Sequence, residues 1–256
     1  VITVHQFCCL ADNYGYLLHD DESDETVCVD TPDAEAILAQ ADARGWRITQ
    51  VWNTHWHFDH MGGNAAVKAA TGATLVGPEE IARHGGACDR VVVEGDRLSL
   101  GRHRVRVMAV GGHTLGHVAY VFDEEGEVPR AFVGDALFAL GCGRMFEGTP
   151  EGFWESLMKL AALPDDTWVY CAHEYTQANA RFACAVDSGN EALRARVREV
   201  EALRAAGRPT VPSRMGDERA TNPFLRAPVL AASLGMVGAP DHAVFAELRR
   251  RKDVFR

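Results

Sequence analysis

The sequence predicts an α/β sandwich followed by a small helical domain, on three observations. Short strand-like runs alternate with helical ones through the first two thirds of the chain. Polar residues able to bind metal recur where apolar runs end. After Tyr175 the pattern becomes helical, with Pro209, Pro212, Pro223, Pro228 and Pro240 marking loops. The expected domains are therefore residues 1–174 and 175–256.

Val1–Phe7, Tyr14–His19 and Thr26–Asp30 read as strands, with the acidic run Asp20–Glu25 as an exposed hairpin loop. Thr31-Pro32-Asp33 reads as a helix start, with Thr31 as N-cap and Pro32 at the first helical position. That helix should run to about Arg44 and end at Gly45. The run Ile48–Trp52 reads as a strand, Asn64–Ala70 as a helix and Thr74–Val76 as a strand. Further strands are expected at Leu98–Leu100, His103–Val110, Val118–Asp123, Ala131–Val133 and Thr167–Ala172, with a helix over Pro150–Ala162. The tail should hold helices over Gln177–Val186, Glu191–Ala206 and His242–Lys252.

The net charge of −10 argues against a nucleic-acid or anionic-membrane partner. Seven cysteines without CxxC spacing suit reduced thiols rather than a disulfide framework. No apolar run approaches the roughly 18–20 residues of a membrane span, and the first residues lack a signal-segment pattern. A cytoplasmic location and a monomer are expected.

One stretch is not explained by packing. Thr54-His55-Trp56-His57-Phe58-Asp59-His60 places three imidazoles and a carboxylate within six residues, just after a strand. On an extended backbone His55 and His57 share a face, while Asp59 and His60 lie where the chain bends. Held together in an interior, these groups need partners, and a metal ion accepts both imidazole nitrogen and carboxylate oxygen. His113 in a Gly-rich loop, Asp135 after Gly134 and His173 after Ala172 occupy similar positions. Singly each reads as a structural histidine or a turn cap; beside the first cluster they read as further ligands. His117 begins a strand and reads as support.

The series His55-x-His57-x-Asp59-His60, His113, Asp135, His173 resembles the metallo-β-lactamase superfamily, whose fold is an αββα sandwich. Gly141-Cys142-Gly143-Arg144, Phe146-Glu147-Gly148-Thr149, His173-Glu174-Tyr175-Thr176, Thr221–Arg226 and Arg249-x-x-Lys252-Asp253 resemble the glyoxalase II (hydroxyacylglutathione hydrolase) family. The resemblance implies that His55, His57 and His113 hold one metal ion, that Asp59, His60 and His173 hold a second, and that Asp135 bridges them. The ions would be zinc, with iron or manganese as alternatives.

The implied activity is hydrolysis of an S-(2-hydroxyacyl)glutathione such as S-D-lactoylglutathione, giving D-lactate and glutathione, in methylglyoxal detoxification. A hydroxide bridging the metals would attack the thioester, with Asp59 and Asp135 as the catalytic carboxylates. The thiolate leaving group, with a conjugate acid pKa of about 8.5–9 judging from cysteine, needs no general acid. The resemblance also implies substrate contacts from Arg144, Tyr175, Arg249 and Lys252. Phe146 stands where the family carries a second tyrosine, so one hydroxyl contact is lost. Arg249→Ala is expected on this basis to raise KM and leave kcat nearly intact. Persulfide dioxygenases share the fold and use a single iron, but lack the helical tail and the full second ligand set; another hydrolase of the superfamily, on lactams, lactones or RNA, is the remaining alternative.

Overall fold

A computed structural model describes residues 1–255, and the α/β class holds. The chain divides into two compact units, Val1–Ala109 with Gly116–Gly134, and Val110–Leu115 with Asp135 onward.

The first unit runs β1 (Ile2–Cys9), β2 (Asn13–Asp20), β3 (Glu25–Val29), α1 (Ala34–Asp42), β4 (Ile48–Trp52), α2 (Phe58–Met61), α3 (Asn64–Thr71), β5 (Thr74–Gly77), α4 (Glu80–Arg83), β6 (Arg90–Val91), β7 (Arg97–Leu100), β8 (His103–Ala109), β9 (Val118–Phe122) and β10 (Arg130–Gly134). Strands β1 to β6 lie side by side in sequence order. The first three are antiparallel, and β3 to β6 are parallel because α1, α3 and α4 carry the chain back between them. A second antiparallel run is formed by β7 to β10.

Period-two alternation assigns the faces. Leu17, Cys28, Val51 and Leu75 pack with Ile37 and Ala41 of α1 and Val67 of α3. The opposite face carries Tyr16 and Trp52. Tyr16 meets Phe132 of β10 edge-on at 5.5 Å, and Trp52 lies 5.3 Å from the ring of Tyr120 in β9. Tyr120 is buried, and its hydroxyl donates to the Asn53 carbonyl at 2.6 Å, so the interior polar group is satisfied. Helices on one face of a sheet and strands on the other make this unit layered. Removing Trp52 would empty that interface at a cost of about 3–5 kcal/mol.

The start of α1 corrects the expected N-cap. Asp33, not Thr31, caps the helix, its carboxylate accepting from the Ala36 amide at 3.1 Å. Thr31 is instead drawn inward, its hydroxyl donating to Asn64 Oδ1 at 2.7 Å. The expected end near Gly45 corresponds to a left-handed residue there, φ 68°.

The second unit contains β11 (Leu137–Phe138), β12 (Gly141–Cys142), α5 (Pro150–Ala161), β13 (Trp168–Cys171), α6 (Thr176–Val186), α7 (Glu191–Ala205), β14 (Ser213–Arg214), α8 (Met215–Thr221), α9 (Ala227–Leu230) and α10 (Asp241–Val254). Thr149 caps α5 by accepting from the Gly152 amide, and Asn190 caps α7 by accepting from Leu193. A strand is present in the tail after all: β14 pairs antiparallel with β13 over two residues. Too short to show period-two alternation, it gave no sequence signal. Phe153, Phe224 and Phe245 form a buried aromatic group joining α5, the 222–226 turn and α10.

Candidate active site

Four of the seven expected metal ligands lie in the first unit, all at the end of β4. The chain leaves the strand through Asn53 and Thr54 and turns into the single-turn helix α2, whose N-cap is His57. His55 Nε2 and His57 Nδ1 face each other at 3.0 Å. Two nitrogens bound to one tetrahedral ion at about 2.0–2.1 Å would stand roughly that far apart. His60 Nε2 lies 3.4 Å from Asp59 Oδ2, and the His55 and His60 rings are 4.0 Å apart. His55 and His60 are buried; Asp59 and His57 are partly open.

The orientation of these ligands comes from residues that the sequence reading did not single out. Asp30, at the end of β3, accepts from His60 Nδ1 at 2.8 Å, from the Thr54 amide at 2.7 Å and from the Thr54 hydroxyl at 2.8 Å. A carboxylate only accepts in this setting, so Nδ1 of His60 carries the proton and Nε2 is left as the donor atom for a metal. Asn13 donates to Asp59 Oδ2 at 3.0 Å. His117 stacks on His55 at 4.6 Å and is buried, in keeping with a supporting role.

Three expected ligands lie in the second unit. Asp135 places one carboxylate oxygen 3.4 Å from His113 Nε2 and the other 3.3 Å from His173 Nε2. All three are buried. Nδ1 of His113 donates to the Arg144 carbonyl at 2.7 Å, which again fixes the tautomer and leaves Nε2 pointing at the carboxylate. Gly143 sits so close to the Asp135 carbonyl and the His113 ring that a Cβ there would overlap both. His173 is stacked by Tyr175 at 4.7 Å and 2°.

Imidazole nitrogens freed by fixed tautomers, with carboxylates between them, suit borderline divalent ions. The donor set therefore fits the metal chemistry expected of it.

Residues 23–173 match the metallo-beta-lactamase superfamily, and residues 174–255 match the hydroxyacylglutathione hydrolase C-terminus. The chain is 54% identical to the hydroxyacylglutathione hydrolase of Maricaulis maris (strain MCS10) over 99% of both chains. It is 53% identical to that of Erythrobacter litoralis (strain HTCC2594) over the full length of both. The chain belongs to the hydroxyacylglutathione hydrolase family. Its fold is also similar to the crystal structure of ETHE1 from Myxococcus xanthus, at TM-score 0.66 and 24% identity over 97% of each chain. This hydrolase thus has a metallo-β-lactamase domain followed by the helical C-terminal domain of its family.

In a chain of net charge −10, the second unit holds a basic cluster. Lys252 is half-buried, and its ammonium is held below the ordinary lysine range, first by burial and then by Arg249, Arg181 and Arg144. Arg181, on α6, had no sequence signal beyond its charge. Arg144 is well exposed, and Phe146 is 61% exposed beside the His113 ring at 5.3 Å. Glu247 binds the guanidinium groups of both Arg250 and Arg251, so these two belong to the helix surface. Arg249, expected as a substrate contact, is only 5% exposed.

The cysteines of the hydrolase are all free thiols. Burial pushes Cys142 up to about 11 and Cys171 up to about 12, so both are neutral thiols at pH 7. No helix among the described residues is long and apolar enough to cross a membrane.

Proposed function

We propose that the protein hydrolyses S-(2-hydroxyacyl)glutathione thioesters, with S-D-lactoylglutathione as the substrate of choice, at a centre of two divalent ions. His55, His57 and His113 would hold one ion, Asp59, His60 and His173 the other, and Asp135 would bridge them. The observation that carries this reading is Asp135, with one oxygen on His113 and the other on His173. A carboxylate shared in this way suits two ions better than one.

When bound, the ions supply Lewis acidity toward the thioester carbonyl and bring the pKa of water toward about 7. The chain's own residues do the rest. Asp59, steadied by Asn13, offers a partly exposed carboxylate that can orient a water and take up its proton. Asp30 and the Arg144 carbonyl hold the protonated Nδ1 of His60 and His113, so neither ring can turn its lone pair away. Arg144, Arg181 and Lys252 offer positive charge to a carboxylate of the thiol carrier. Tyr175, Phe146 and the exposed Leu115 offer apolar surface. The thiolate product leaves without a proton donor, so no general acid is required.

Domains meeting at 174/175 belong to the same proposal, supported by the two family matches, which meet between 173 and 174. Zinc, a monomeric state and the cytoplasm complete it. The nitrogen and oxygen donors suit zinc, and seven free thiols suit a reducing compartment.

The deciding experiment is a steady-state assay with S-D-lactoylglutathione on protein of measured metal content. About two ions per chain with turnover of the thioester supports the reading. One iron with oxygen uptake on glutathione persulfide would overturn it.

A further inference from the structure

Trp56 stands between two of the expected metal ligands in the chain, and an exposed histidine lies flat against it. The His84 and Trp56 ring centroids are 3.7 Å apart, with the planes 7° from parallel. The indole also meets the His57 ring, at 4.7 Å and 66°. His57 in turn presents Nδ1 to His55 Nε2 at 3.0 Å. His84, Trp56 and His57 thus form a row of three rings that ends at a nitrogen offered to an ion. Trp56 and His57 are half-buried, and His84 is exposed.

His84 is held firmly from its own side. It closes α4, its amide donating to the Glu80 carbonyl at 3.0 Å. Ile81 of that helix is buried, and the Glu80 carboxylate accepts from the Gly116 amide at 2.6 Å. The chain then turns sharply, with Gly85 left-handed at φ 81° and the Gly86 amide donating to the Ile81 carbonyl at 2.9 Å. A Cβ on Gly86 would overlap the sulfur of Met61, so this turn lies against α2, which carries Asp59 and His60.

A histidine that binds metal needs its ring held in one orientation, and for His60 and His113 a hydrogen bond from Nδ1 does this. His57 turns its Nδ1 toward His55, so that nitrogen is the one given to the ion. We propose that His84 is a positioning residue for the metal ligand His57, acting through Trp56, whose indole it clamps beside the His57 ring. The inference rests on the reading of His57 as a ligand. An indole is rigid and flat, so covering one face also fixes its contact with His57.

The test compares His84→Ala, His84→Phe, Trp56→Leu, the double variant Trp56→Leu with His84→Ala, His57→Ala and Arg83→Met in the metal-loaded protein. Zinc affinity is read by competition with a chromophoric chelator, and kcat and KM with S-D-lactoylglutathione. The visible absorption of the cobalt-substituted form reports the geometry of the centre. His84→Ala should weaken binding of one zinc ion by roughly threefold to tenfold, the worth of one aromatic pair. It should alter the cobalt spectrum, lower kcat and leave KM within about twofold.

His84→Phe keeps a flat ring on the indole and should restore affinity, spectrum and kcat; if it fails as His84→Ala does, stacking is not the cause and the proposal falls. The double variant should bind zinc no more weakly than Trp56→Leu alone, because both changes act through one contact. If Trp56→Leu does not fold, the two variants of the exposed His84 carry the test. Arg83→Met, which removes only a surface pair with Glu79, should change nothing.

Unchanged zinc affinity and an unchanged cobalt spectrum in His84→Ala would overturn the proposal. A raised KM in that variant would then make the stack a substrate-facing surface, and a lower melting temperature of the metal-free protein would make it a packing contact only. If His57→Ala itself keeps full metal affinity, the metal reading of His57 fails, and the proposal fails with it. If the wild type does not turn over the thioester, the proposed activity fails, while zinc affinity and the cobalt spectrum still decide the role of His84.

Discussion

Asp30 and His60 form a buried pair, the carboxylate accepting from the imidazole Nδ1 at 2.8 Å. The same carboxylate holds the Thr54 amide and hydroxyl, so one residue at the end of β3 fixes both the ring and the backbone that begins the ligand cluster. Its backbone is left-handed, φ 58°, a conformation that Asp tolerates better than most residues. Asp30→Asn keeps the volume but replaces a charged acceptor with an amide that can turn its NH2 toward His60. Metal affinity should fall by roughly 10–100-fold, measured by chelator competition. Unchanged affinity would show that the pair has no part in metal binding.

Asp135 is the test of the two-ion centre. Asp135→Ala removes both oxygens from between His113 and His173 and leaves the two rings without the anion that separates them. Metal content should drop below two per chain, and kcat/KM by about a hundredfold or more. Elemental analysis of dialysed protein beside the assay checks this; a fully active, metal-replete variant would sink the site assignment.

How much of this was legible in the sequence follows from range along the chain. His55, His57, Asp59 and His60 announce themselves because four ligand-type side chains within six residues have no packing purpose. Asp30 does not, because its role arises only when β3 and β4 pair in parallel and bring it to Thr54 and His60. Val29-Asp30-Thr31 on its own is an ordinary strand end. Arg249 lies between these cases. The run Arg249–Lys252 shows four positive charges and invites a surface reading, yet Phe245, Leu248, Arg249 and Lys252 fall at i, i+3, i+4 and i+7, the spacing of one buried face. That periodicity was present in the sequence, masked by the charges. Thr31 misled for a simpler reason: Asp33 lies two residues further on and caps as well.

The thiols give a prediction of a different kind. Cys8 is exposed, whereas Cys142 and Cys171 are buried and protonated at neutral pH. Iodoacetamide reacts with thiolates, so at pH 7.5 it should label Cys8 ahead of these two and leave turnover intact. Mass spectrometry of partially labelled protein, paired with the assay, tests this. Loss of activity in step with labelling of Cys142 would bring a thiol into the mechanism.

Under the proposed substrate role, Lys252 would join function and stability in opposite directions. Burial and the neighbouring Arg249, Arg181 and Arg144 lower its pKa in the folded chain below the value of 10.5 that it has when unfolded. Between the lowered value and 10.5 the unfolded chain binds the extra proton, so this group makes stability rise with pH through that window. At neutral pH the charged lysine is a net strain on the fold, relieved when an anion binds beside it. Lys252→Met should therefore melt no lower than the wild type at pH 7 and lose the rise in stability that this lysine contributes above the lowered pKa. It should also raise KM for the glutathione thioester by about tenfold, the low end for a lost charge-assisted hydrogen bond, with kcat little changed. Thermal melts across pH 7–10.5 and steady-state kinetics measure the two effects separately. A variant that melts lower at pH 7 with an unaltered KM would place Lys252 in the packing of α10 and take it out of substrate binding.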